Sequence, residues 1–189
     1  MDWPELLRAV SDHLIEIAPD YRLEMLVDAH VLAEMDEDKP VDRTGFYLGE
    51  PGASEEAITA TEARLGCELP DDYKAFLRAS NGFTNICNFP TGIVGFDPVE
   101  KIIWFRDDRN RRLEICRRDF KTRPGDASQD DIDRFERALL IGKGDGNECL
   151  FLVPDGSSTW ELWCYHPEWD LRSFGSLRSQ FEEGLDWTC

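Results

Sequence analysis

The chain has 189 residues, of which 39 are acidic and 21 are basic, and its formal net charge is −18. A surface this negative repels phosphate groups, which disfavours binding to nucleic acids and to anionic membranes and favours a basic protein partner. Hydrophobic residues make up 41% of the chain, which argues against a disordered protein, and it lacks the run of about 18 apolar residues that a membrane helix requires.

The first predicted element is a helix at the amino terminus. Asp2 is placed to cap this helix, Pro4 fits its first turn, and Glu5 lies three residues after the cap, as in a capping box. Apolar residues then recur at helical spacing until Pro19 ends the helix. Acidic residues interrupt this stretch, so it does not resemble a secretory signal, and we expect a cytoplasmic location.

The next segment is less regular. Residues 21–28 alternate like a strand, and residues 29–38 resemble a short helix that ends in acidic residues. We interpret residues 1–52 as a helical extension that packs on, or leads into, a domain formed by residues 53–189. Four acids in the extension are candidate contacts for a basic partner, with a solvated loop as the alternative: Asp36, Glu37, Asp38 and Asp42.

Two more helices are predicted in the middle of the chain. Ser54 caps the first, which ends at Gly66. Pro70 begins the second, and the pair Asn81-Gly82 is expected to end it in the left-handed conformation.

The sign of the charge reverses in the following segment. Residues 93–96 and 101–105 are short apolar runs that predict strands, or a strand followed by a short helix, and residues 126–138 form an acidic, helical stretch. Residues 101–125 hold nine bases and four acids. Because the acids are interleaved with the bases, we predict intramolecular ion pairs here and not a nucleic-acid interface.

The tail predicts three successive strands followed by a closing helix. The strands cover residues 139–141, 149–153 and 159–165, and the glycine-rich residues 142–147 form the first turn. That stretch is rich in glycine but lacks the Gly-Lys-Ser/Thr ending of a phosphate-binding loop, so a hairpin turn is the better interpretation.

The pairing register of the last two strands follows from their alternation. If Cys149 faces Cys164, one face of the hairpin is wholly apolar and points to the core. The opposite face then offers an acid and aromatic rings as contacts for a partner, with core packing as the alternative for each ring. The candidates for partner binding are Glu161, Trp163, Tyr165 and the nearby Trp169.

Residues 53–82 carry a motif that resembles the opening signature of the Smi1/Knr4-like family, also called the SUKH superfamily. The motif consists of these residues, in the order and spacing of the family: Glu62, Leu65-Gly66, Leu69-Pro70, Asp72-Tyr73, Phe76-Leu77 and Asn81-Gly82. The resemblance implies an α+β fold in which helices pack on a mostly antiparallel β-sheet, here with an extra amino-terminal helical segment. It also implies a binding function, since many bacterial members resemble immunity proteins that neutralise a cognate toxin.

We therefore expect a non-catalytic, acidic immunity protein that binds a basic nuclease- or deaminase-type toxin domain. The alternative is a regulatory interaction module of a signalling or cell-wall-related assembly. The six cysteines and three histidines include no C-x-x-C pair and no H-x3-H pair, so neither a metal site nor a cofactor is predicted. No serine-hydrolase or metalloprotease motif is present, and no pair of carboxylates stands out among 39, so no catalytic residue is assigned.

Overall fold

Within the part of the chain that the structure describes, a seven-stranded antiparallel sheet with helices on both faces forms the fold. The structure, a computed structural model, describes residues 1–18, 43–44, 46–84, 94–122, 125–144, 148–155, 160–167 and 170–186. The strands are β1 (Phe83–Thr84), β2 (Val94–Phe96), β3 (Ile103–Trp104), β4 (Leu139–Gly144), β5 (Cys149–Pro154), β6 (Trp160–His166) and β7 (Asp170–Ser176). The described helices are α1 (Trp3–Ile17), α2 (Glu55–Leu65), α3 (Asp71–Ala79), α4 (Arg112–Phe120), α5 (Gln129–Arg134) and α6 (Leu177–Glu183).

The strands follow the order β1-β2-β4-β5-β6-β7, and β3 also pairs with β4. The short strands β2 and β3 share one side of β4, because β3 pairs with its first residues and β2 with its last. The tail of the chain therefore supplies the long central strands, and the middle supplies short strands at one side. The predicted α+β fold with an antiparallel sheet is confirmed.

Local capping signals explain where the first helices begin and end. The side chain of Asp2 accepts a hydrogen bond from the backbone of Glu5, and the Glu5 carboxylate accepts one in return from the Asp2 backbone. The hydroxyl of Ser54 caps α2, and Gly66 ends α2 with a φ of 69°, a left-handed conformation that glycine adopts without strain. These predicted boundaries are confirmed.

The end of α3 differs from the prediction. The residue that follows the helix, Ser80, is extended and not left-handed, and the pair Asn81-Gly82 comes after it in a loop. The side chain of Asn81 bonds a distant segment, as described below, so its role in the motif is to join segments and not to end the helix.

One face of the sheet carries the larger core. Helices α1, α2, α3 and α6 contribute side chains to it, and Phe76 and Phe181 lie at its centre with ring centroids 5.5 Å apart. The strands contribute Leu150, Leu152 and Leu162 to the same cluster. Because α1 buries Leu7 there, the amino-terminal helix packs on the rest of the fold.

The opposite face of the sheet carries a second core. Helices α4 and α5 and the 3-10 helix Phe135–Arg137 cover it. Phe151 of β5 stacks on Phe105 with ring centroids 4.6 Å apart, and Phe135 meets Phe151 edge to face at 4.9 Å. The central strands are therefore buried on both faces, whereas antiparallel sheets commonly leave one face exposed to water.

This two-sided burial makes the predicted register of the β5–β6 hairpin wrong by one residue. Cys149 pairs with Tyr165 and not with Cys164, and Leu150 pairs with Cys164. The prediction assumed that only one face needs to be apolar. In the structure Leu150 and Cys164 belong to the larger core, whereas Cys149 and Tyr165 belong to the second, so alternation alone does not select the register.

The first three residues of the glycine-rich stretch after Ile141 lie in a strand and not in the predicted turn. Strand β4 continues to Gly144, and Gly142 lies opposite Phe96 of β2. A Cβ at Gly142 would lie 2.4 Å from the carbonyl oxygen of Gly95. Glycine is required here because two backbones approach closely and not because the chain reverses.

Candidate functional site

An open groove of about 680 Å³ lies beside the amino end of α2. Three segments that are distant in sequence form it: residues 50–57, residues 81–84 and residues 96–101. Two other cavities among the described residues have volumes of about 220 Å³ and about 460 Å³. A concave site assembled from several loops on a rigid sheet is a common place for recognition.

Two polar side chains after α3 hold the walls of this groove together. The hydroxyl of Ser80 accepts a hydrogen bond from the Glu50 backbone N–H at 2.9 Å and donates to the Glu50 carbonyl at 3.0 Å. The amide oxygen of Asn81 accepts from the Val99 N–H at 2.7 Å, and its Nδ2 donates to Glu100 at 3.3 Å. The groove is therefore preformed, because each wall is bonded to the residues after α3.

Three carboxylates and one ammonium group line the groove. Glu50 is exposed, and its carboxylate has no hydrogen bond or ion pair with another described residue. Oδ2 of Asp97 is buried and accepts no hydrogen bond from the described part of the chain; Lys143 Nζ lies 3.9 Å from it. With Glu100 on the same wall, the acids outnumber the one lining base, Lys101.

Among the described residues of the basic segment 101–125, four arginines form ion pairs with acids of the same chain. Arg117 pairs with Glu136 at 2.6 Å and Arg118 with Asp119 at 2.8 Å. Arg111 pairs with Glu114. The prediction of intramolecular ion pairs in this segment is confirmed.

The fourth pair of this segment is buried. Arg112 contacts Asp108 at 3.0 Å, and both side chains are about 95% shielded from solvent. Nη1 of Arg112 donates to both oxygens of Asp108, whereas its Nε is buried with no partner among the described residues. This pair joins the start of α4 to the preceding turn.

Two of the aromatic candidates for partner binding are buried. Trp163 is 3% exposed and meets Phe135 edge to face, and Tyr165 is 2% exposed. The Tyr165 hydroxyl donates to Asp119 at 2.6 Å. Burial, together with the Asp119 carboxylate, raises the pKa of Tyr165 well above its usual value. Both rings therefore pack in the interior of the fold. Their assignment to partner binding stays a prediction.

Glu161 lies near Trp163 but reaches the surface. Its carboxylate accepts a hydrogen bond from the Trp163 indole at 3.1 Å and one from Arg134 at 3.3 Å. Arg134 also donates to the Pro154 carbonyl and to Asp131. This network locks the end of the β5–β6 hairpin to α5, so Glu161 has a structural role in addition to any contact with a partner.

The remaining candidates lie outside the described residues. They are Asp36, Glu37, Asp38, Asp42 and Trp169. Their assignment to partner binding stays a prediction. Trp160, at the start of β6, is half-buried and packs against the larger core.

Within the described residues, no group of three or more histidine, cysteine, aspartate or glutamate side chains is arranged to hold a metal. The buried thiols of Cys116 and Cys149 lie beside each other, and burial raises the pKa of Cys149 well above its usual value. A protonated, buried thiol is a weak nucleophile. None of the described helices has the length and apolar character needed to cross a membrane.

The groove is not predicted from the sequence. Its acidic residues, Glu50, Asp97 and Glu100, lie between the predicted helices and in or beside short apolar runs. The sequence signal for the groove is the Asn81-Gly82 pair, which is typical of a helix end, whereas in the structure the Asn81 side chain bonds the groove wall at Val99 and Glu100.

The profile of the SMI1 / KNR4 family (SUKH-1) matches residues 52–186, which is more than half of the chain. The matched segment begins beside the groove and extends to the end of the last described helical turn, and it leaves α1 outside. A search of curated proteins gave no match.

Proposed function

The chain belongs to the SMI1 / KNR4 family (SUKH-1), and from this premise we propose that it is an immunity protein that binds and neutralises a basic toxin domain. The family includes immunity proteins, its domains commonly bind protein partners, and it is generally non-catalytic. The proposed toxin is a nuclease or a deaminase, because the active sites of enzymes that act on nucleic acids are basic. Neutralisation would take place in the cytoplasm of the cell that makes both proteins.

The observation that carries this proposal is an uncompensated excess of negative charge. The chain has 39 acids and 21 bases, and four arginines of its basic segment, such as Arg117 with Glu136, form ion pairs within the chain. Even if every base paired with one acid, 18 acids would remain for an external partner. Such a surface imitates the phosphate backbone that a nuclease binds, and it can accelerate association by roughly 10- to 1000-fold at low salt.

The part of the surface that the structure describes offers little for a partner that binds through apolar contacts. Among the described residues, Met1 is the one large hydrophobic side chain that is exposed. Monomeric proteins that associate through apolar faces expose contiguous patches of such residues. Charge complementarity is therefore the recognition mode that this surface supports best.

The proposal predicts a toxin gene directly beside the gene for this chain, and the test is co-expression of the two. The carboxy-terminal domain of that toxin is expressed in a bacterial host with and without this chain, and growth is measured. We expect growth to be restored only when the chain is present. An inactive toxin variant should be purified together with the chain. No rescue and no co-purification would contradict the proposal and favour a regulatory interaction module.

Salt dependence provides a second measurement on the same complex. Between about 0.05 M and about 0.5 M salt, we expect the association rate to fall by roughly tenfold, since screening weakens long-range attraction. A rate that does not change with salt would show that charge does not guide the encounter.

A further inference from the structure

We infer that the groove between residues 50–57, 81–84 and 96–101 receives an arginine-bearing segment of the partner protein. The proposal rests on the proposed function, because it assigns the contact site for the same basic partner. It concerns a defined cavity and not the acidic surface as a whole, and it names Glu50 and Asp97 as the residues that recognise the incoming cation.

The shape of the groove suits a peptide segment. Its volume of about 680 Å³ is within the range of ligand-binding clefts and exceeds what a single side chain fills. The hydrogen bonds of Ser80 and Asn81 hold its walls in place, so little conformational entropy is lost when a ligand enters.

Among the described residues, no basic group lies within hydrogen-bond distance of the Glu50 or Asp97 carboxylate. Glu50 has no cationic partner among the described residues, and Asp97 has only Lys143, at 3.9 Å, which is beyond hydrogen-bond distance. Elsewhere on this chain acids such as Glu136 and Asp131 form ion pairs with arginines at 2.6 Å and 2.9 Å. The groove is therefore a place where an external arginine would make contacts that the chain itself does not supply.

Arginine suits this site better than lysine. Its guanidinium carries five N–H donors in a plane, whereas the lysine ammonium is a single strongly hydrated point charge. The groove presents carboxylates from separate segments, Glu50 on one wall and Asp97 and Glu100 on another. Several acceptors at different positions are best matched by several donors at fixed positions.

Lys101 lowers the affinity of the groove for cations. It is exposed, it lines the groove, and it has no ion pair with another described residue. Its ammonium group therefore repels an incoming arginine. Removal of this charge should tighten binding, which is the opposite of the effect expected for the carboxylates.

The experiment uses the full chain and a capped hexapeptide of alternating arginine and glycine, with binding followed by NMR chemical shifts. We expect the shifts to concentrate on groove residues such as Gly82 and Lys101. The variants Glu50→Gln and Asp97→Asn should each weaken binding by about threefold to tenfold, and Lys101→Gln should strengthen it by about threefold. The matched control is Glu68→Gln, which removes an exposed acid outside the groove and should change affinity by less than about 1.5-fold.

Two results would overturn the inference: shifts spread over the whole surface with equal effects of Glu50→Gln and Glu68→Gln, or equal binding of the matching lysine–glycine peptide. Thermal unfolding of each variant checks that the groove is still folded. The peptide assay contains no toxin, so it can fail while co-expression still restores growth, and then only the site assignment is wrong. If the peptide binds as expected but no toxin is neutralised, the site assignment is supported and the proposed immunity function is contradicted.

Discussion

The indole Nε1 of Trp3 donates a hydrogen bond to Oδ1 of Asp72 at 3.0 Å. Trp3 lies before the segment that matches the family, whereas Asp72 lies within it, in the first turn of α3. The same indole meets the rings of Phe76 and Phe181 edge to face. The amino-terminal helix and the family segment therefore share one core.

Replacement of a buried residue of α1 should destabilise the whole fold. Leu7 is completely buried, so Leu7→Ala should lower the free energy of unfolding by about 2–5 kcal/mol in urea denaturation followed by circular dichroism. Asp12→Ala, an exposed change on the same helix, should alter it by less than about 0.5 kcal/mol. Equal stability of the two variants would mean that α1 does not contribute to the core.

The buried pair of Asp108 and Arg112 should be sensitive to the loss of one partner and tolerant of the loss of both. Asp108→Asn leaves a buried guanidinium without its counter-charge and should lower the free energy of unfolding by about 3–5 kcal/mol. The double variant Asp108→Asn, Arg112→Met should recover most of that loss, because no buried charge remains. A double variant as unstable as the single one would contradict this interpretation.

Asp131 should make stability depend on pH in the acid range. Partial burial raises the pKa of Asp131, but hydrogen bonds from Ser128 and the charge of Arg134 outweigh it and hold that pKa below its usual value. A lowered pKa in the folded state means that this stabilisation is complete above the ordinary aspartate pKa, about 3.9, and is lost as the pH falls through the folded value.

Asp131→Asn should therefore lower the free energy of unfolding by about 1 kcal/mol at neutral pH. The difference from the parent chain should shrink as the pH falls below about 4 and vanish once Asp131 is protonated in both states. Urea denaturation at a series of pH values measures this. A difference that grows toward acid would show that the pKa of Asp131 is not lowered by folding.

Two glycines should respond to alanine for different reasons. At Gly66 a Cβ would meet nothing within 4 Å, so Gly66→Ala adds only the strain of a left-handed φ, about 1 kcal/mol. At Gly142 the Cβ would lie 2.4 Å from the Gly95 carbonyl, so Gly142→Ala must separate β2 from β4 and should reduce stability by about 2–3 kcal/mol. Thermal unfolding compares the two, and a larger effect at Gly66 would contradict this ranking.

Features set by neighbouring residues were predictable from the sequence. The capping box of Asp2 and Glu5, the cap at Ser54 and the left-handed end at Gly66 each involve residues within a few positions of one another. The family motif predicted the α+β fold because its residues build the helices and their core.

Features that depend on contacts between residues distant in sequence were not predictable. The register of the β5–β6 hairpin depends on α4 and α5, which cover a face that the alternation pattern assigns to solvent. For the same reason Trp163 and Tyr165, candidates for an exposed interface, are buried. The groove combines three separate segments, and Glu50 is one of 39 acids, so nothing in the linear pattern distinguishes it.

The coverage of the sheet on both sides restricts where this protein can change. A polar substitution at a buried position of β5 or β6, such as Leu150 or Trp163, reaches one of the two cores whichever face it lies on, so these positions tolerate few polar changes. Specificity for a new partner should instead be sought in the loops that line the groove, residues 50–54 and 97–101. Libraries that aim to give this scaffold a new protein partner should be randomised at those loops, and the strands should be left untouched.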